Sequence, residues 1–570
     1  MTSVERTGHF EQPPRLTDEW AEDTALQRLL ERVLPPEVRE EITPSLAEMG
    51  VLTATQLKAM ADEVDDPAHE PRLRPFDAWG RRIDEVEVSP LWERIGDLGK
   101  RHGVVATAYE RAHGEHSRVH QMALVSLYGP SSALYSCPFA MTDGAAATLL
   151  AHGDRTLIDR ALPRLTSRDP EHAWTSGQWM TERAGGSDVG RSETVARQDG
   201  DAWRLTGTKW FTSAVTADMA LTLARPEGNG PGGRGLAMFY VEVRDAEGAL
   251  NGVRVLRLKD KLGTRQMPTA ELALEGTVAH LVGTPSDGTR AITPMLAITR
   301  LWNAVIATGG LRRGLALARD YATRRVAFGQ EVIDHPLHQT TLAWLRVEHE
   351  SSLQLVFRTV QLLGRQEAGV ATEAERAALR LLLPITKLVT GKQGVAGASE
   401  ALEAFGGAGY IEDTHLPVLL RDAQVLPIWE GTTNVLSLDV LRALGDPATL
   451  PALREEVRAA ATSTSHQELA TIGKQAIDAV DHAAAWAGQA LEQGPAALEH
   501  GARRLAMTLG RALQAALLAQ QAQHDIDVHA DGRGLAVARR FAAQGIDLLE
   551  VAGERLAEDA ALARDEPLPL

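Results

Sequence analysis

The chain has 570 residues, more than one hydrophobic core supports, so three or four compact units are expected. Hydrophobic residues make up 44% and charged residues 24%, which excludes a mainly disordered, collagenous or membrane-embedded chain. A net charge of −17 disfavours binding to DNA unless a local basic patch overcomes the average.

The segment from Met1 to Arg15 is polar, holds Pro13 and Pro14 and lacks the apolar run of a secretory signal. No later stretch approaches the roughly 18 uninterrupted apolar residues of a membrane span. Residues 17 to 160 read as helical: Leu26, Leu29, Leu30 and Val33 recur at helical spacing, Pro35 and Pro36 stop the run, and 106 to 127 continue the pattern. The sole cysteine, Cys137, excludes an internal disulfide and fits a reducing cytoplasm. Between about 172 and 290, short runs such as Trp203-Arg-Leu205, Leu221-Thr-Leu223 and Leu236 to Val241 alternate with Gly, Asp and Asn turns, which predicts a small antiparallel β domain. Long helices return from 292 to 445, with Leu315, Ala316 and Tyr321 on one face. The Ala- and Leu-rich remainder, joined at Asp446-Pro447, predicts a further helical bundle. The expected units are 1–172 (helical), 173–290 (β), 291–445 (helical bundle) and 446–570 (C-terminal helical extension).

Three local signals carry no chemistry. Gly228-Asn-Gly-Pro-Gly-Gly233 resembles a phosphate loop, but a strand follows it where a dinucleotide site needs a helix N-terminus. His113, His116 and His120 have metal-ligand spacing without a completing ligand set, and read as a solvated or interface helix. Asp527-Val-His-Ala-Asp-Gly532 starts like a calcium loop, but its twelfth position is Ala538 and not a bidentate Glu. No metal site is expected.

Four elements do point to chemistry. In Trp174 to Val189 a strand-like run breaks into Ala184-Gly-Gly-Ser187, a loop that offers backbone N–H groups and the hydroxyls of Thr181 and Ser187 to a polar planar ligand or a phosphate. In Gly207-Thr-Lys-Trp-Phe-Thr-Ser213 the adjacent aromatics either wall off a ring system or form a β-core pair. In Tyr321 to Gln330, Arg325 before the Gly329 turn suits a pyrophosphate, because a guanidinium fork matches phosphate bidentately. The fourth runs from Glu403 through Phe405-Gly-Gly-Ala-Gly-Tyr410 to Asn434. There Glu430 follows Ile428-Trp429, and a carboxylate against an aromatic wall should be desolvated, its pKa raised, and suited to take a weakly acidic C–H proton. The alternative is a Glu that caps a helix beginning at Thr432-Thr433.

Taken together, Met180-Thr-Glu-Arg-Ala-Gly-Gly-Ser-Asp-Val189, Lys209-Trp-Phe-Thr-Ser213, Arg325-Val-Ala-Phe-Gly329, Phe405 to Tyr410 and Trp429-Glu-Gly-Thr432 resemble the acyl-CoA dehydrogenase family over roughly 120 to 445. The resemblance implies an α+β, mainly α fold: an N-terminal helical domain, a middle β domain and a C-terminal four-helix bundle, here with an extra C-terminal helical domain. It implies one FAD per subunit, a homotetramer, an acyl-CoA or related acyl substrate, and a partner to take the electrons. At the matched positions it places Met180, Thr181, Ser187, Phe211 and Ser213 around the flavin ring. Arg325 and Phe328 fall at the diphosphate end, across a subunit boundary with Gly406 and Gly407, while Thr432 and Asn434 complete the pocket. Glu430 falls where many members carry the base that abstracts the α-proton of an acyl thioester while a hydride leaves the β-carbon.

Within the family, Phe10 to Leu16, Phe76 to Asp84, Cys137 to Thr142 and Leu256 to Arg265 look like the AidB-type branch, which implies weak dehydrogenase activity and a C-terminal DNA-binding domain. Two departures bear on this. Family members place an Asp three residues before an Arg on the helix after the β domain; the Arg is Arg300, a candidate substrate contact, but the Asp is replaced by Ala297. Residues 451–570 hold 11 Lys/Arg against 17 Asp/Glu, whereas a DNA-binding domain should be basic. The leading expectation is an FAD-dependent acyl thioester desaturase in the cytoplasm. The alternatives are an AidB-like DNA-binding or protective flavoprotein and a biosynthetic flavoenzyme on the same fold.

Overall fold

The structure, a computed structural model, describes residues 12–568. Phe10 and Glu11 of the first branch-like segment lie outside them. An N-terminal group of helices leads into a β barrel, then a bundle of long helices, then five more helices. This is the acyl-CoA dehydrogenase-like arrangement expected from the sequence, extended by a helical C-terminus.

The N-terminal helices follow their apolar spacing: Leu26, Leu29 and Leu30 of Thr24–Val33 are buried, and Asp23 caps the helix by accepting from the Leu26 amide at 3.0 Å. One part of the helical reading is corrected. Arg72–Phe76 and Arg82–Glu87 form an antiparallel hairpin around a turn in which Asp77 accepts from Trp79 and Arg81. The hairpin leans on the β domain, where Arg82 donates to the Val255 carbonyl and Asp84 accepts from the Val255 amide.

The β domain is not wholly antiparallel. Met219–Pro226, Ala237–Glu242, Thr269–Val282, Ala202–Ser213 and Val195–Asp199 pair in a closed ring, with a parallel contact of Val195–Asp199 on Met219–Pro226. Ser176–Trp179 adds a second parallel pairing along Met219–Pro226, and Val253–Leu258 pairs with Thr269–Val282. Closure leaves few strand edges and fills the interior with Leu205, Phe239, Val241 and Leu272.

Thr293–Ala322 is the central helix; it packs on Ser136–His152, Pro336–Glu367 and Glu373–Ala404. Leu315, Ala316 and Tyr321 are all buried. The C-terminal helices share one continuous core with the N-terminal helices and the bundle. Gly510 of Pro495–His529 faces Val389 and Ile385, where a Cβ would come within 2.7 Å of the Val389 side chain. Arg32 of the first helix donates to Gln520, Gln521 and Gln354.

Candidate active site

The strand Ser176–Trp179 ends where Thr181 turns back, and Gly185 closes the loop with φ +130°, a conformation open to glycine. A Cβ on Gly186 would lie 2.8 Å from Thr181 Oγ1, so glycine is required for the loop to fold over that hydroxyl. Beneath it Glu182 is buried, accepting from Lys209 Nζ at 2.7 Å, Thr194 Oγ1 at 2.6 Å and the Glu193 amide at 2.6 Å. Burial pushes the Glu182 carboxyl up, but the Lys209 ammonium and these hydrogen bonds outweigh it and hold it below its ordinary range. Glu182 and Lys209 therefore anchor two of the motifs to each other, and the Trp210 amide donates to the Thr181 carbonyl at 2.9 Å.

The aromatic pair does not enter the barrel core. Trp210 lies against the Lys259 ammonium, 3.5 Å from the ring centroid, and Phe211 remains 56% exposed on the wall of a cleft. Ser213 beside it shares a hydroxyl contact with Thr269 at 3.2 Å.

Glu430 stands on the turn between Val418–Ala423 and Thr433–Leu444. It does not cap the second helix: Thr432 does, accepting from the Val435 amide at 3.4 Å. Glu430 is instead a non-glycine residue with φ +57°, followed by Gly431 at φ +111°. Its carboxylate is half-buried beside Trp429, with Oε2 3.5 Å from Gln178 Nε2. Arg300 Nε donates to the Glu430 carbonyl at 3.3 Å, and its Nη1 meets Asp439 at 2.6 Å. The carboxylate that position 297 lacks is thus supplied to Arg300 from the Thr433–Leu444 helix. Trp429 is fixed by its indole N–H, which donates to Asn303.

These elements enclose one cleft of about 1480 Å³, lined by Gln178, Met180, Thr181, Ser187, Phe211, Ser213, Arg300, Glu430 and Thr432. That exceeds the roughly 300–1,000 Å³ of a site for one drug-sized ligand. Its floor is a charged network. Asp143 is fully buried and accepts from Tyr109 Oη at 2.6 Å, Arg118 Nη1 at 2.8 Å, Gln121 Nε2 at 2.8 Å and Trp302 Nε1 at 2.7 Å. Arg118 also forks onto Glu367 at 2.7 and 2.9 Å. Burial next to Asp143 pushes the Tyr109 phenol well above its ordinary pKa, so it stays a donor. The wall toward Thr181 suits a planar ring with polar edges: Gln178 Oε1 is buried without a partner among the described residues, and Phe211 offers an uncovered aromatic edge.

Arg325, Phe328, Gly406, Gly407 and Asn434 are not on the cleft wall. Phe328 stands 99% exposed with φ +51° at the tip of the Val326–Ala327 and Gln330–Glu331 hairpin, Gly406 adopts φ +60°, and Asn434 is exposed. Reading the sequence missed Gln178, Asp439, the Asp143 network and Lys387, whose Nζ donates to the Gly431 carbonyl at 2.6 Å. The available signal for Lys387 was a lone lysine inside the apolar run Leu381 to Val389.

The three signals set aside sit in the fold as follows. Gly228 to Gly233 connects two strands, with Arg225 bonded to its carbonyls. The three histidines do not share a solvated helix: His113 and His116 bracket a 3-10 turn, and His120 lies on the next helix, Ser117–Tyr128, which is buried along its whole length, and bonds Ser45 at 2.8 Å. Asp527 lies inside Pro495–His529, and Asp531 pairs with Arg28. Among the described residues, Glu31, His524 and His529 come close enough to share a cation, outside the cleft lining; His529 Nε2 already bonds Glu31 at 2.8 Å. No helix among them is long and apolar enough to cross a membrane.

Comparison with known proteins divides the chain in the same sequence order. Residues 11–171 match the adaptive response protein AidB N-terminal domain, 177–277 the acyl-CoA dehydrogenase middle domain, 286–445 the acyl-CoA dehydrogenase C-terminal domain, and 448–566 the acyl-CoA dehydrogenase 11 C-terminal domain-like unit. Acyl-CoA dehydrogenase family member 11 of Caenorhabditis elegans is 44% identical over 547 residues, 92% of this chain and 88% of the relative. The crystal structure of Caenorhabditis elegans ACDH-11 in complex with C11-CoA superposes with a TM-score of 0.94 at 41% identity, covering 98% of this chain and 97% of that one. AidB of Escherichia coli (strain K12) is 33% identical over 410 residues, 70% of this chain and 73% of the relative. At 18% identity, an acyl-CoA dehydrogenase complexed with FAD from Bacillus anthracis shares the fold with a TM-score of 0.72, covering 97% and 96% of the two chains.

Proposed function

The chain belongs to the acyl-CoA dehydrogenase family, and from that premise we propose that it desaturates an acyl thioester between its α and β carbons, with Glu430 as the base. It is an acyl-CoA dehydrogenase-like enzyme with FAD as its cofactor. When bound, the flavin ring supplies the acceptor for the hydride that leaves the β-carbon.

The protein's own part is to hold, orient and deprotonate. Thr181, Ser187 and Ser213 present hydroxyls, and Met180 and Phe211 apolar faces, to the flavin ring region along one wall of the cleft. Gln178 Oε1 offers that wall its unused acceptor. Thr432 accepts a bond from Val435 at its hydroxyl oxygen, which leaves its proton free to donate. Glu430 takes the α-proton at its carboxylate, which lines the cleft beside Trp429. Arg300 acts through the backbone carbonyl of Glu430.

Arg325 and Phe328, with Gly406 and Gly407 of a neighbouring copy, would take the diphosphate end, and Asn434 completes the pocket. A homotetramer accounts for the exposure of Phe328 and for Tyr410, 87% exposed beside the Gly406–Gly407 turn. An electron-transfer partner and a cytoplasmic setting, where the buried Cys137 thiol stays reduced, complete the proposal.

The observation that carries the reading is the meeting of Glu430 with Gln178, Thr181 and Phe211 in one cleft roomy enough for a cofactor and a substrate together. The test is anaerobic titration with a panel of acyl-CoAs, followed by flavin bleaching. Glu430→Gln is expected to retain FAD and the fold while flavin reduction slows by about 10²–10⁴-fold. Reduction at the wild-type rate would place the proton acceptor elsewhere.

A further inference from the structure

Lys387 lies in mid-helix on Glu373–Ala404, among Ile385, Leu388 and Val389, and none of its side chain reaches solvent. A buried ammonium normally faces a carboxylate, because an unpaired charge in an apolar setting is costly. Among the described residues Lys387 makes no ion pair; its bond is to the Gly431 carbonyl, 2.6 Å away. The residue whose carbonyl precedes it, Glu430, is held with φ +57°, a conformation that L side chains adopt at some cost. Its own carbonyl is taken by Arg300 from the central helix at 3.3 Å. Two cations from two different helices thus grip two successive carbonyls of one strained turn.

We propose that Lys387 is a positioning residue for Glu430: with Arg300 it clamps the 430–431 turn in its left-handed conformation and so aims the carboxylate into the cleft. The charged groups that face the Lys387 ammonium are Glu430 on the turn and Arg300 on the central helix, and Arg300 is itself paired to Asp439 on Thr433–Leu444. Burial lowers the Lys387 pKa to about 7, with Glu430 pulling it up and Arg300 adding to the fall. While charged, the ammonium holds the Gly431 carbonyl by a charge-assisted bond, stronger than the bond a neutral amine or amide makes. The inference rests on the reading of Glu430 as the base.

Two variants separate the hydrogen bond from the charge. Lys387→Gln keeps a donor and loses the charge; Lys387→Met loses both. In crystal structures of the FAD-loaded proteins, the Met variant is expected to release the 430–431 turn and the Glu430–Gln178 contact, and the Gln variant to retain them. In flavin reduction by the best acyl-CoA, the Met variant is expected to lose about tenfold or more in limiting rate with little change in half-saturation. The wild-type rate is expected to fall as pH rises through about 7, where Lys387 loses its proton, and both variants should lack that limb. A turn unmoved in Lys387→Met overturns the proposal, as does a Lys387→Gln profile that superposes on the wild type. If Lys387→Met does not fold, the Gln profile decides. If no acyl-CoA bleaches even the wild type, Glu430 loses its assignment as base, and the clamp is judged by the two crystal structures alone.

Discussion

Asp143→Ala is expected to be the most damaging single change at the cleft floor. The fully buried carboxylate serves four side-chain donors. Two of them survive its loss in part: Tyr109 also donates to the Asp143 backbone carbonyl at 2.6 Å, and Gln121 to the Val104 carbonyl at 3.1 Å. Arg118 keeps its fork on Glu367 but loses its buried counter-charge. The Trp302 N–H is left with no acceptor. Removing one partner of a buried ion pair costs about 3–5 kcal/mol, with Glu367 placing this case near the lower end. Stranding the indole N–H adds about 1–3 kcal/mol. The expected total is about 4–6 kcal/mol of local stability. Native-state hydrogen exchange of the Thr293–Ala322 helix reads this directly, whereas a chain of this size gives no single two-state unfolding energy. Trp302→Phe provides the internal control: without its N–H to strand, Asp143→Ala should cost about 1–3 kcal/mol less. A loss below about 1 kcal/mol, or no coupling to Trp302→Phe, would refute the reasoning.

Arg325→Ala should weaken FAD retention through loss of a charge-assisted phosphate contact of about 1.5–3 kcal/mol, read as flavin content after dilution and gel filtration; full retention would remove Arg325 from the cofactor site. No strong duplex DNA binding is expected at physiological salt, because arginines of the C-terminal helices are already matched: Arg504 with Glu550, Arg539 with Glu468, Arg454 with Asp481. Fluorescence anisotropy from low to high salt tests this, and tight, salt-sensitive binding abolished by changes at Arg503 or Arg539 would reverse it. The pH response should carry a signature of His349, whose pKa burial lowers to about 4 against a partial pull upward from Asp23. Since the unfolded chain protonates first, stability is expected to fall as pH drops from about 6.5 toward 4, and His349→Gln should flatten that slope in thermal melts.

The site was legible where short motifs carry their own turn chemistry. Thr181 and Ser187 flank a Gly-Gly pair whose geometry only glycine permits, and Phe211 and Glu430 sit within runs of recognisable spacing; the structure brings them to one cleft. What escaped was set by distance along the chain or by context. Arg72–Phe76 and Arg82–Glu87 form a hairpin embedded among helices, and only the remote Val255 backbone explains why it is there. Ala297 pointed to a missing carboxylate, but Asp439, which stands in for it at Arg300, lies 139 positions from that arginine. Lys387 stands out in the sequence only as a lone charge in an apolar run, and the carbonyl it serves, that of Gly431, lies 44 positions away. The parallel pairings of the barrel are likewise invisible to an alternating pattern, which is the same for either strand direction.

The bonds from Arg32 to Gln520 and Gln521 have a consequence for how the protein is made. The pair Arg32–Gln521 spans 489 positions. At about 5–20 residues per second, a ribosome needs about 25–100 s to deliver the glutamine after the arginine has emerged. For that interval the first helix, with Leu26, Leu29 and Leu30, has no finished seat. A ribosome-bound nascent chain stopped before Pro495 should therefore hold its first helix open to protease and to chaperones, and release from the ribosome should close it.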